Sequence, residues 1–212
     1  MKNRVRTMTL LVSLGCGALV AQDTMKAANG DAGKPPQSAA MQMPAPAPEM
    51  TRLIKTLSGA WTVTEKQDPN PMSPKGSTGK GTAILTPGPG NLSLIERYHS
   101  AGTMGGNFNG MGVFWWDAKD QAYRSLWCDN MSPNGCEAAG TTKWEGNNLV
   151  GTMESEMNGR MMMTRYTYSD WKPNSFVMTM EMGPNASSMN KFMTITYSKG
   201  GPTAAKAEKP AQ

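Results

Sequence analysis

Histidine is nearly absent from this 212-residue chain: His99 is the only one. A Ser-His-Asp triad would have to use it, and no G-x-S-x-G elbow accompanies it. An axial haem ligand would have to be the same residue. His99 ends the segment Glu96-Arg97-Tyr98-His99, where a rim or surface position is expected. Charge is also scarce. Charged residues make up 17% of the chain, which is low for a globular protein. The net charge of +5 looks basic, yet Lys2, Arg4 and Arg6 supply three of those charges. No Lys/Arg run occurs elsewhere, so the footprint of a nucleic-acid binder is missing. Beyond the N-terminal segment, no apolar run is long enough for a transmembrane helix.

The N-terminal segment itself has the form of an export signal. Lys2-Asn3-Arg4-Val5-Arg6 is a basic start, and Thr7 to Ala21 is an apolar stretch too short to span a bilayer comfortably. Residues 1–21 are therefore expected to be a signal peptide cleaved after Ala21, which places the protein in the periplasm or outside the cell. A second reading stays open: Cys16 follows Ser13-Leu14-Gly15, and lipidation there would tie the chain to a membrane. Residues 22–48 are rich in Ala, Pro, Gln and Met, a composition that cannot bury enough apolar surface to order itself. They read as a disordered linker, and residues 199–212 as a loose tail. Apart from Cys16, the cysteines are Cys128 and Cys136, which flank the turn-rich Asp129 to Gly135. A hairpin there would bring them within bridging distance, and closing so short a loop stabilises by roughly 2.5 kcal/mol through chain entropy. The alternative is two free thiols. The spacing is not that of a zinc knuckle.

Residues 49–198 hold the folded domain. Glu49 to Leu57 reads as a short helix, with Leu53, Ile54 and Leu57 on one face and Ser58-Gly59 as its stop. From there the period changes to two. Strands are expected over 60–66, 78–85, 92–99, 107–116, 121–128, 136–144, 148–157, 160–169, 175–182 and 190–198. The chain's 23 Gly and 15 Pro suit many turns, and Asn158-Gly159 is the strongest hairpin signal. About ten strands without intervening helices predict an all-β, antiparallel up-and-down barrel. Phe176, Met178, Met180 and Met182 share one face of their strand. On another, Met162, Thr164, Tyr166 and Tyr168 oppose Met161, Met163, Arg165 and Thr167. Both faces are mixed, which suits a barrel that is not tightly filled.

Leu57-Ser58-Gly59-Ala60-Trp61 resembles the G-x-W opening of lipocalin-like barrels, where the Trp packs across the closed end near a short helix. More specifically, the chain resembles the bacterial family called domain of unknown function 1579. The resemblance is carried by Leu53 to Trp61, Gly106 to Gly112 leading to Trp116-Asp117, Tyr123, Trp127 with Asp129, Glu137 to Gly140, and Met193 to Tyr197. It covers about residues 50–198 and implies a lipocalin-like barrel, with no activity attached. The Cys128/Cys136 pair and the methionine excess look like local additions.

The candidate site follows from the side chains such a barrel would hold. Phe114, Trp116, Tyr123, Trp127, Met178 and Met180 are candidates for the wall of an apolar pocket. Arg97, Arg124 or Arg165 could orient a polar head. The favoured reading is non-covalent binding of a small apolar or amphipathic molecule. Two others stand beside it. One is an envelope interaction module whose barrel is filled by its own side chains. The other is a copper(I) handler using its 20 methionines, since soft thioethers suit a soft ion. Copper binding would require Met178, Met180 and Met182 to share a face with residues of the Met161-Met162-Met163 run. Glu96, Asp117, Asp129, Glu137, Glu154 and Glu156 could in principle supply paired carboxylates, but acids scattered on strands are expected to be solvated. Nothing in the pattern implies a catalytic residue, a cofactor or a metal, and an enzyme is the least favoured reading.

Overall fold

A computed structural model describes residues 43–71, 73–103, 106–157 and 159–200. The expected signal peptide, most of the linker and the tail beyond residue 200 lie outside the described residues. One helix, α1 (Pro48–Leu57), precedes ten strands: β1 (Gly59–Gln67), β2 (Ser77–Pro87), β3 (Ser93–Ala101), β4 (Asn107–Asp117), β5 (Ala122–Asp129), β6 (Cys136–Glu145), β7 (Asn148–Met157), β8 (Arg160–Lys172), β9 (Ser175–Gly183) and β10 (Asn190–Lys199). Each strand pairs antiparallel with its sequence neighbours, and β1 pairs with β10, so the sheet closes into a barrel. Every expected strand is present, within about two residues at each end except β8, which runs three residues further, to Lys172. The fold is lipocalin-like, as the resemblance implied. Among the described residues no helix is long and apolar enough to cross a membrane.

Helix α1 closes one end. Pro48 at its first turn fits the preset φ of proline. Glu49 at its start and Lys55 at its end complement the helix dipole. Met50, Leu53 and Leu57 are its buried stripe. The Trp61 indole N–H donates to the Leu57 carbonyl at 3.0 Å, which fixes the helix to the first strand. Trp61 meets Phe176 edge-on at 4.9 Å, and Phe176 stacks on Tyr197 at 4.3 Å. The Tyr123 hydroxyl donates to the Glu49 carbonyl at 2.9 Å, and Arg52 lies 3.9 Å over the Trp144 ring. This end is a solid aromatic plug.

Hairpin turns alternate between the two ends. At the end opposite α1, Cys128 stands across from Cys136 in the register, and the two form a disulfide. Asp129 holds that hairpin's turn by accepting from the backbone N–H groups of Met131 and Ser132. The Asn158-Gly159 turn joins Met157 to its partner Arg160, with Gly159 at a φ of 74° that favours glycine. Asn158 itself lies outside the described residues.

Trp61→Ala is expected to lower stability by about 3–5 kcal/mol, because it removes both the plug's central ring and the hydrogen bond to α1. The urea midpoint of the full chain measures this. A loss below about 1 kcal/mol would show that the plug is not a stabilising element.

Candidate functional site

Strand alternation turns one set of side chains inward, and below the aromatic plug that set leaves a cavity of about 140 Å³. Its aromatic wall comprises Tyr98, Phe108, Phe114, Trp127, Tyr166, Tyr168 and Tyr197. Met153, Met178, Met180, Met193, Leu126 and Ile195 supply the aliphatic part. The register between β5 and β6 shifts here, with Arg124 to Leu126 spanning two residues against three from Ala138 to Thr141, so the extra residue of this β-bulge lies on β6. Trp127 lies over the inward positions Gly110 and Gly112, where a Cβ would run into its ring. Those two glycines set how deep the ring sits. The ring itself is fixed by its indole N–H, which donates to Asp129 at 2.9 Å.

Phe114, Trp127, Met178 and Met180 therefore stand where the alternation predicted. Trp116 and Tyr123 do not line the cavity. They pack on each other at 5.1 Å, and Tyr123 is committed to α1 and to Trp144, whose indole N–H donates to its hydroxyl at 3.3 Å. The three arginines are a further correction. Arg97, Arg124 and Arg165 each follow or precede an inward residue by one position, so the two-residue period puts them on the outer wall. Arg124 pairs with Asp117 and Asp120, and Arg165 with Glu181 at 3.5 Å. Arg97 flanks an outer groove together with His99. His99 is exposed, 2.9 Å from Asn109 through Nδ1.

Of the methionine run, Met162 shares the parity of Thr164, Tyr166 and Tyr168, which stand opposite Met182, Met180 and Met178, so it lies on the same face as those three; Met163 stands opposite Gly183 on the other face, and Met161 is exposed on the outer wall.

What sequence reasoning missed is the polarity of the interior. Glu65 and Glu96 are 3% and 4% exposed, and both line the cavity. Glu96 was expected to be solvated, yet it lies between Leu94 and Tyr98 on the inward face of β3. Glu65 follows Trp61 and Val63 on the inward face of β1. That shared parity was the available signal. The Tyr98 hydroxyl donates to Glu65 Oε1 at 2.5 Å, while Glu65 Oε2 is buried without a hydrogen-bond partner. Gly79 makes room for it, since a Cβ there would collide with this carboxyl and with Thr103. Among the described residues no Lys, Arg or His lines the cavity. Burial pushes the Glu96 carboxyl up from 4.5 to about 7, with the Tyr197 hydroxyl pulling weakly the other way. Burial likewise raises Tyr98, Tyr166, Tyr168 and Tyr197 far above the ordinary phenol value, with the neighbouring acids adding to it.

Residues 46–199 match the family described as "Protein of unknown function (DUF1579)". The chain belongs to that family. Among curated proteins none matches it. Among solved structures it is similar to Rv2717c from M. tuberculosis, at 10% identity and a TM-score of 0.49, over 73% of this chain and 99% of that one. It is also similar to the S-type phycobiliprotein lyase CPES from Guillardia theta, at 8% identity and 0.48, over 72% and 93%. A redesigned β-barrel, mFAP1, solved bound to DFHBI, is 15% identical with a TM-score of 0.39, over 70% and 99%.

The raised Glu96 carboxyl makes stability depend on pH. The folded state holds this proton more tightly than the unfolded chain. The contribution is therefore complete below about 4.5 and is lost as the pH rises through about 7. Ionisation then costs the fold on the order of 3 kcal/mol. Urea midpoints measured across that window are expected to fall for the natural chain and to fall much less for Glu96→Gln. Equal slopes for the two proteins would place the titration elsewhere.

Proposed function

We propose that this barrel binds a small, largely apolar molecule non-covalently in its interior. The observation that carries the reading is the 140 Å³ cavity itself, walled mainly by aromatic rings and thioethers. Side chains this varied in shape could have closed the space, and methionine in particular adapts to fill gaps. A cavity lined mostly by apolar atoms at this depth stays dry or takes an apolar guest. Its size suits a group no larger than about a benzene ring with a substituent. It is too small for a whole drug-sized ligand, which needs about 300 Å³ or more. The guest is accordingly a compact molecule or the narrow end of a longer one. The filled-module alternative differs in that it requires no such space.

The disulfide adds a compartment to the reading. Bonds of this kind persist where the environment is oxidising, and the Cys128–Cys136 bridge supports export of the mature chain out of the cytoplasm.

Benzene is the direct probe of the cavity. At about ten times its dissociation constant, binding to the folded state alone is worth about 1.4 kcal/mol, or roughly 3–5 °C in Tm. Met180→Trp, which places an indole in the space, is expected to abolish that shift. No shift in the natural chain, together with a purified protein that carries no small molecule in native mass spectrometry, would favour the filled module.

A further inference from the structure

Two carboxyls line the cavity, Glu65 from β1 and Glu96 from β3, and among the described residues no Lys, Arg or His joins them. Glu65 Oε1 is satisfied by Tyr98, but Oε2 is buried and unpaired. A carboxyl oxygen in that position lacks the donor that water would have given it, and a buried acid is stable in charged form only when a partner supplies donors or positive charge. Arg124 and Arg165, on the outer wall by parity, pair there with acids of their own.

Aromatic rings form the rest of the surroundings. Tyr98, Tyr168, Tyr197 and Trp127 share the wall with the two acids. Ring faces are electron-rich and attract ammonium groups, most strongly where water is excluded. Carboxyls and rings together favour positive charge and disfavour an anion such as a fatty acid carboxylate.

We infer that the cavity takes a small organic cation, an ammonium group on a compact apolar body, with Glu65 and Glu96 as its counter-groups. This rests on the ligand-binding reading above and adds the charge of the guest. The Glu65 carboxyl, whose Oε2 lies beside the equally unpaired Thr103 hydroxyl at the β1–β2 wall, accepts from the ammonium N–H groups, and the rings surround the apolar body. Tyr98 within β3, Tyr168 from β8 and Tyr197 from β10 face Glu96, Glu65 of β1 shares Tyr98 and Tyr197 with it, and the neighbouring β2 and β4 offer only Leu85 and Gly112 in register. The tyrosines stay protonated throughout the neutral range, so Glu96 is the group whose charge changes near pH 7.

Benzylammonium, benzyl alcohol and benzoate share one apolar body and differ in charge. Calorimetric titration of the full chain with each is expected to rank them in that order, with the cation about tenfold tighter than the alcohol. Glu65→Gln should erase most of that difference while leaving the alcohol bound. The affinity for benzylammonium, but not for benzyl alcohol, should rise as the pH passes about 7. If the alcohol or benzoate binds as tightly as the cation, the charge assignment falls and the binding reading survives. If benzene binds and none of the three does, the assignment also falls. If benzene fails as well, both fall together. The three-probe ranking uses the natural chain, so it holds even if a variant fails to fold.

Discussion

The first strand pairs with the last, Trp61 to Gln67 against Met193 to Lys199, and this seam makes the sheet a barrel. Closure gives every strand two neighbours, so no edge remains to be protected. It also removes freedom. In a closed antiparallel sheet a one-residue slip in any strand would turn its whole inward set outward. The inward set is thus fixed all round, including its awkward members. Glu65 sits four residues from Trp61, and Glu96 two residues from Leu94, in inward rows that start apolar and end on Gln67 and Ser100. Holding Trp61 and Leu94 in the core forces both carboxyls into the interior.

The ends of the barrel divide the labour. Helix α1 and the rings around Trp61 and Phe176 form a solid block that carries much of the apolar burial. Below it the packing loosens, and the cavity begins where Tyr197, Tyr168 and Met178 meet the two acids. At the far end, Trp127 spans the glycine shelf of β4, fixed through Asp129 to the disulfide hairpin. Asp129 thus serves two purposes: it holds the turn beside the bridge and orients a ring of the cavity wall. A change in that hairpin reaches the Trp127 ring through this carboxylate.

Much of the fold was legible because alternation and turn residues are local signals. The number of strands, their limits, the helix with its Leu53/Leu57 face, the cysteine bridge and the inward row Phe176-Met178-Met180 all follow from spacing within one segment. The height of a residue along the barrel axis does not. Trp116, Tyr123, Phe114 and Trp127 look equivalent in sequence. Register alone places the first two level with α1 and the others level with the cavity. The acids were missed for a different reason. A carboxyl's usual preference for water was weighed above its parity, although Glu96 lies one position from Arg97 and two from Tyr98, so only one of the two charges in that pair can face solvent. Taking parity first would also have sent all three arginines outside.

Among the described residues, the barrel interior holds carboxyls with no cation of the chain's own beside them. Carbon-13 NMR of glutamate-labelled protein, with the Glu96 resonance assigned by its loss in Glu96→Gln, reads this directly. The account predicts that the Glu96 carboxyl titrates with a midpoint of about 7 in the empty protein. A midpoint at the ordinary 4.5 would show a solvated or compensated carboxyl and would contradict it.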